Sequence, residues 1–226
     1  MAKSFNIILI GPQGSGKGTQ AAILKKRYHL SVISGGDISR AIAKHNNHAG
    51  ILARDLINKG ILLPDEILND EVNHQISKHF GRGMLFDGYP RTLPQAKHLF
   101  AQLKKYNHPL VVINLQLKDT ESIKRLEMRL ICSKCGDIVY PKHVVRNAQE
   151  YFYKLLNRCT HCGGKLVKRS DDNESAIKQR LAQFHHETDP VIRYFDEIDC
   201  LINVDAKPEI EIVADSVKTA LIEKLK

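Results

Sequence analysis

Phe5-Asn6-Ile7-Ile8-Leu9-Ile10-Gly11-Pro12-Gln13-Gly14-Ser15-Gly16-Lys17-Gly18-Thr19-Gln20 is an apolar run, a glycine-rich turn and the opening of an amphipathic segment. That order predicts strand, loop and helix. Glycines in such a loop let successive backbone N–H groups curl around a phosphate chain at the helix N-terminus, and Lys17 adds a point charge for the β- and γ-phosphates. The segment therefore predicts binding of a nucleoside triphosphate through Gly14, Ser15, Gly16, Lys17, Gly18 and Thr19. A tight glycine turn without a ligand is the alternative, and the strand and helix on either side weigh against it. One position departs from the general phosphate-loop pattern. Gly18 stands where Ser or Thr usually supplies a magnesium ligand, and Thr19 follows one residue late. The shift points to a narrower class of phosphate-transfer proteins.

Working outward, further apolar runs at Met84–Phe86, Leu110–Leu115 and Leu201–Val204 alternate with amphipathic stretches near 17–28, 65–79, 92–104, 119–131, 173–197 and 208–225. Strands separated by helices predict an α/β fold whose parallel sheet is covered on both faces. Such sheets bind ligands beyond the carboxyl ends of their strands. Functional residues are thus expected directly after the apolar runs, at Gly11–Thr19 and again at Asp87-Gly88-Tyr89-Pro90-Arg91. Two stretches break the alternation: 34–63 reads as short helices joined by Gly- and Asn-rich turns, and 132–169 holds the cysteines. Both are expected as lobes inserted into the core.

A chain of 226 residues with 42% hydrophobic content fits one domain with such insertions. No run approaches the roughly 18 uninterrupted apolar residues of a membrane helix. The short run that enters the glycine loop is not a secretory signal, so a cytoplasmic protein with no membrane partner is expected. Cys132-x-x-Cys135 and Cys159-x-x-Cys162 are separated by 23 residues, and each pair is followed by glycine. In a reducing compartment such pairs suggest metal rather than disulfides. Two turns of this kind can present four thiolates to one tetrahedral Zn²⁺, and with every ligand supplied by protein the metal is structural. Unrelated or redox-active thiols are the alternative reading. Cys200, in an apolar run, reads as a buried inert thiol.

The formal net charge is +9, and it is unevenly placed: between Cys132 and Arg169, eight Lys/Arg stand against Asp137 and Glu150. Such a segment attracts polyanions, a nucleotide or a nucleic acid. Phosphoryl transfer asks for in-line positioning, magnesium and positive charge around the moving group. Arginine suits it because its planar fork pairs two phosphate oxygens at once. Arg40, Arg91, Arg125, Arg129, Arg169 and Arg180 are the candidates, each of which taken alone is as readily a surface residue. Arg91 stands out because it ends a turn after a strand, close to Asp87, a carboxylate suited to the magnesium hydration shell or to capping the turn.

Gly11–Thr19, Ser34-Gly35-Gly36-Asp37 with Arg40, Asp87-Gly88-Tyr89-Pro90-Arg91-Thr92-x-x-Gln95 and Arg169-Ser170-Asp171-Asp172 occur in the order seen in adenylate kinases. The chain resembles, over nearly its whole length, the bacterial adenylate kinases whose lid carries a zinc knuckle. The resemblance implies a P-loop core at 1–33, 64–125 and 170–226, a helical lobe for the nucleoside monophosphate at 34–63, and a zinc-ribbon-like lid at 126–169. It implies reversible transfer, ATP + AMP = 2 ADP, with Mg²⁺ accompanying ATP, structural Zn²⁺ on Cys132, Cys135, Cys159 and Cys162, and a monomeric enzyme.

By motif position, the resemblance puts Lys17 on the transferring phosphate, Arg125 against the ATP adenine and phosphates, and the Lys207 backbone along the ATP base. Arg40 and Arg91 would clamp the AMP phosphate, while Gln95 and the Gly88 backbone would read adenine beside Gly35. Arg129, Arg169 and Arg180 would close on the phosphoryl group, the last two also reaching AMP. Asp87 would orient the waters of Mg²⁺, and Asp171 and Asp172 would couple the lid to the closed form, which excludes water.

The chain departs from the family pattern in several places. Gly35 replaces a usual Thr or Ser, so Gly35→Thr is expected to sharpen AMP preference. Glu127-Met128-Arg129-Leu130 lacks the usual glycine and second arginine, Pro141 stands where a polar residue is common, and the lid is lengthened around Tyr151-Phe152-Tyr153. A UMP/CMP-type or broad-specificity monophosphate kinase is one alternative. A zinc-ribbon nucleic-acid-binding ATP switch, stacking bases on Tyr151–Tyr153, is another. Gln95 favours AMP, because its amide can donate and accept along one edge of adenine; nucleic acid is not the expected partner.

Overall fold

Asn6–Ile10 forms β1 and is buried at every residue, as a strand with helices on both faces must be. The computed structural model of the chain describes residues 4–225 apart from 60, 80, 106–107, 140–157, 160 and 169–171. Around β1, parallel pairing adds β3 (Met84–Asp87) on one side and β4 (Leu110–Gln116) on the other. Outside them lie β2 (Ser31–Ser34) and β8 (Leu201–Asp205), giving the order β2-β3-β1-β4-β8. The register sets Leu9 opposite Asp87 and Ser34 opposite Asp87. The glycine-rich loop, Ser34 and the Asp87 turn therefore leave the same edge of the sheet.

The helices are α1 (Lys17–Tyr28), α2 (Gly35–Ile42), α3 (His48–Asn58), α4 (Asp65–Lys78), α5 (Leu93–Lys104), α6 (Asp119–Glu127), α7 (Glu174–Glu197) and α8 (Ile210–Lys224). Successive strand residues face opposite sides, and β1 shows the consequence. Ile8 packs with Phe86, Val72, Leu99 and Phe195, under α4, α5 and the later turns of α7. Ile7 and Leu9 pack with Leu85, Leu24, Val213 and Val217, under α1 and α8. The sheet is thus covered on both faces, an α/β fold with a parallel core.

The chain divides into two units, Met1–Leu117 with Ala182–Lys226, and Lys118–Leu181. In the second, β5 (Leu130–Cys132) pairs antiparallel with β6 (Ile138–Val139) and β7 (Leu166–Lys168). Among the described residues its apolar clusters are small: Leu126, Ile177 and Leu181 between α6 and the start of α7, and Leu130 and Leu166 beside the cysteines.

Two elements differ from the sequence expectation. The helix expected over 119–131 stops at Glu127, because Leu130-Ile131 pairs with Lys168 and Val167 of β7. β2 has only Val32 and Ile33 between serines, too short an apolar run to announce a strand, and pairing with β3 makes it one. Among the described residues, no helix is long and apolar enough to cross a membrane.

Candidate active site and metal centre

The glycine loop has the backbone its composition demands. Gly14 and Gly16 take φ of 83° and 86°, and Gly16 caps α1 in a left-handed conformation without any side-chain cap. No side chain caps the first turn of α1, and a helix N-terminus of this kind favours an anion. Gly11 is required by close approach: a Cβ there would lie 2.7 Å from both the Leu115 carbonyl oxygen and Ser15 Oγ. Lys17 folds back over the loop, its Nζ donating to the carbonyls of Gly11 (2.6 Å) and Pro12 (3.0 Å). Ser15 Oγ is buried and has no hydrogen-bond partner among the described residues, a polar atom that fits the neighbourhood of a phosphate. Gly18 is exposed and Thr19 half-buried. Any Cβ at Gly18 would meet open space, so sterics does not dictate glycine there.

Asp87 ends β3, half-buried beside the loop. Burial pushes its carboxyl above the usual 3.8; the charges of Lys17 and Arg91 act in the opposite sense, and Asp37 adds to the rise. Lys17, Asp87, Arg91 and Asp37 thus form one electrostatic neighbourhood. Arg91 is exposed and its Nε donates to the Gly88 carbonyl at 2.9 Å. A Cβ at Gly88, φ 68°, would approach that guanidinium to 3.2 Å. Arg40, one turn into α2, is exposed and pairs with Asp37 at 2.6 Å.

Gly35 opens α2 after Ser34, whose side chain accepts from Asp37 N–H. A Cβ at Gly35 would lie 2.6 Å from the Gly88 carbonyl oxygen and 3.1 Å from Tyr89 Cβ. The threonine expected to sharpen AMP preference meets a steric obstacle here: the backbone of the Gly88 turn occupies the space a side chain needs.

Gln95 is 1% exposed. Its Oε1 accepts from Arg91 N–H at 2.8 Å and its Nε2 donates to Asp65 at 2.6 Å. Thr92, the N-cap of α5, donates to the other Asp65 oxygen at 2.9 Å. The sequence does not single out Asp65. After Pro64 at the start of an amphipathic run it reads as an ordinary first-turn acid, and nothing in the linear pattern joins it to residues 27 and 30 positions away.

Lys207 lies in the loop before α8, exposed, with its N–H donated to Asp205. Lys17, Asp87, Arg91, Arg40, Gln95 and Lys207 all belong to the first unit, and Arg125, Arg129 and Arg180 to the second. Arg125 is half-buried in the last turn of α6. Arg129 meets Asp172 in a two-pronged pair, Nε at 2.7 Å and a terminal nitrogen at 2.6 Å, and Arg180 joins the same carboxylate at 3.0 Å. The Asp172 side chain is wholly buried. Burial favours its neutral form, but hydrogen bonds and charge from Arg129 and Arg180 outweigh that and hold its pKa below 3.8. Two arginines expected on the phosphoryl group are thus arrayed on one carboxylate. Arg169, Asp171, Pro141 and Tyr151–Tyr153 lie outside the described residues.

In the same unit, the thiol sulfurs of Cys132, Cys135, Cys159 and Cys162 all lie within 4.8 Å of one another. Cys132–Cys162 and Cys135–Cys159 are 3.4 and 3.7 Å apart. Zn–S bonds of about 2.3 Å in a tetrahedron separate sulfurs by roughly 3.8 Å, so this set fits a zinc ion. Each Cys-x-x-Cys turn closes with a glycine N–H donated to the first cysteine's carbonyl, at 2.9 Å for Gly136 and 2.8 Å for Gly163. Both glycines have positive φ, 74° and 69°. Gly164 is needed for another reason: a Cβ there would lie 2.6 Å from Cys132 Sγ.

A family model described as adenylate kinase matches residues 9–200. An adenylate kinase of Acetivibrio thermocellus is 37% identical over 219 residues, covering 96% of this chain and 98% of its own. One of Methanosarcina barkeri is 38% identical and one of Methanocella arvoryzae 40%, both over 219 residues and with the same coverage. As the likeness runs from end to end of those relatives, the chain belongs to the adenylate kinase family and is a phosphotransferase of the nucleoside monophosphate kinase class.

Proposed function

We propose that the protein catalyses reversible, Mg²⁺-dependent phosphoryl transfer between ATP and AMP to give two ADP. The observation that carries this is the gathering of Lys17, Asp87 and Arg91 at the carboxyl edge of β1 and β3. A parallel sheet binds ligands at that edge. The loop N–H groups from Gly14 to Thr19 and the Lys17 ammonium hold the ATP phosphates, with Arg125 and the Lys207 backbone toward its base. Arg40 and Arg91 hold the AMP phosphate, next to Gly35 and the Gly88 backbone. An AMP phosphate oxygen attacks the γ-phosphorus in line, the bond to the β-bridging oxygen breaks, and ADP leaves on each side. Charge on the moving group spreads over its equatorial oxygens, where Lys17, Arg129, Arg169 and Arg180 stabilise it. Mg²⁺, when bound, would supply positive charge to the phosphate oxygens, and Asp87 would be the carboxylate that holds its hydration shell.

Gln95 reads the adenine edge. Its carbonyl is held by Arg91 N–H and one amide hydrogen by Asp65, so it would do so with its remaining hydrogen. The division into core (1–33, 64–125, 170–226), monophosphate lobe (34–63) and lid (126–169) belongs to the same reading. Closure of a basic, zinc-stiffened lid, helped by Asp171 and Asp172, keeps water from taking the phosphate. Zn²⁺ on the four cysteines would stabilise a lid whose described residues form only a small apolar cluster. Reduced, metal-binding thiols fit the cytoplasm.

The test is ADP formation from ATP with AMP, UMP, CMP, GMP or no acceptor, with and without Mg²⁺. Fast turnover with AMP and little without acceptor is expected. Preference for another monophosphate would overturn the substrate, and acceptor-independent ATP turnover would overturn water exclusion.

A further inference from the structure

We infer that Asp65 is a positioning residue for AMP binding: from the first turn of α4 it holds the Gln95 amide, and through it the backbone of Arg91. This rests on the proposed reading of Arg91 as a clamp on the AMP phosphate.

The connection is continuous. A carboxylate only accepts hydrogen bonds. Asp65 therefore takes the Gln95 nitrogen at 2.6 Å and the Thr92 hydroxyl at 2.9 Å. With its nitrogen so engaged, Gln95 turns its oxygen to Arg91 N–H at 2.8 Å. The amide is 1% exposed, and a buried amide that loses its partner has no water to replace it. The Arg91 carbonyl is held too, by the Thr188 hydroxyl at 3.1 Å. With both backbone groups tied, the remaining freedom of Arg91 is in its side chain, which is anchored to the Gly88 carbonyl.

A second contact supports the same role for α4. Asn69, one turn beyond Asp65, accepts from the Tyr89 hydroxyl inside the same loop. A first-turn acid that served only the helix dipole would not reach these partners. Asp65 touches neither guanidinium nor phosphate, so it acts through Gln95.

The test compares Asp65→Ala, Asp65→Asn, Gln95→Ala and the Asp65→Ala/Gln95→Ala double variant with the wild type, by calorimetric Kd for AMP and by steady-state kinetics. Asp65→Ala is expected to raise Kd and KM for AMP about tenfold, the scale of one lost charge-assisted hydrogen bond. KM for ATP and kcat at saturating AMP should stay within about twofold. Asp65→Asn, whose amide oxygen still accepts from Gln95, restores most of the affinity, and the double variant binds AMP no worse than the weaker single. If Asp65→Ala does not fold, Asp65→Ser, too short to reach both partners, shows the same AMP-specific loss. Lower thermal stability with unchanged AMP affinity, or additive losses in the double variant, would overturn the assignment of Asp65 alone. Failure of the wild type to bind AMP would overturn the functional reading together with it.

Discussion

At the scale of single residues, the proposed function asks charge to be placed against phosphate. Lys17 lies folded over the loop on the carbonyls of Gly11 and Pro12. Its replacement by Ala is expected to lower kcat about 10²–10³-fold, as loss of one preorganised transition-state contact does, with circular dichroism unchanged; near-normal turnover would remove it from the chemistry. Asp172 is a second test. Its folded pKa lies below 3.8, so the stability it contributes is fully present above that value and is lost as pH falls through the lowered one. Acid unfolding monitored in the Lys118–Leu181 unit should begin below pH 3.8, and Asp172→Ala should remove that step. The same variant leaves Arg129 and Arg180 without their shared carboxylate, which is expected to cost about 3 kcal/mol in denaturant unfolding. Gly35→Thr is expected to destabilise by about 1–3 kcal/mol, as overpacking does, and to weaken AMP binding by displacing the Gly88 turn; a more AMP-selective enzyme of unchanged stability would refute this.

Elements explain why these residues meet. A helix N-terminus left uncapped by any side chain follows the glycine loop, and a Thr-capped helix follows the Arg91 turn. Adjacent parallel strands bring both turns to one edge. The two cysteine turns show the same economy: glycine at positive φ closes each, and only Gly164 lets β7's approach come against the sulfurs. Gly164→Ala is expected to reduce Zn²⁺ occupancy measured by metal analysis and to lower the melting temperature, without altering the isolated phosphate-loop residues. Full occupancy in that variant would show that the turns yield more easily than a 2.6 Å contact implies.

For the whole molecule, the contrast lies in how each unit is held. The parallel-sheet unit has two large apolar clusters, one on each face. Among its described residues, the Lys118–Leu181 unit has small ones, with Cys132 and Cys159 counted among their buried members. Metal removal should therefore act unevenly. Chelation under reducing conditions is expected to shift an early calorimetric transition downward and to leave the transition of the sheet unit in place. A single unshifted transition after proven loss of metal would refute a structural role for zinc.

What could be read from the sequence alone was whatever depends on local pattern. Glycine spacing after an apolar run announced the glycine loop before α1, and the two Cys-x-x-Cys turns announced the four-cysteine cluster. The run-and-helix alternation announced a parallel sheet, since backbone conformation, ligand type and periodicity are properties of neighbouring residues. What the tertiary structure decided depends on residues far apart in the chain. Ser31–Ser34 became a strand only against β3, and Leu130–Cys132 left the helical pattern because β6 and β7 pair with it. Asp172 gathered Arg129 and Arg180 onto one buried carboxylate, and Asp65 joined the Gln95 amide. Burial, close approach and the desolvation of charge come into being only when the chain is packed, so no pattern of neighbours could announce them.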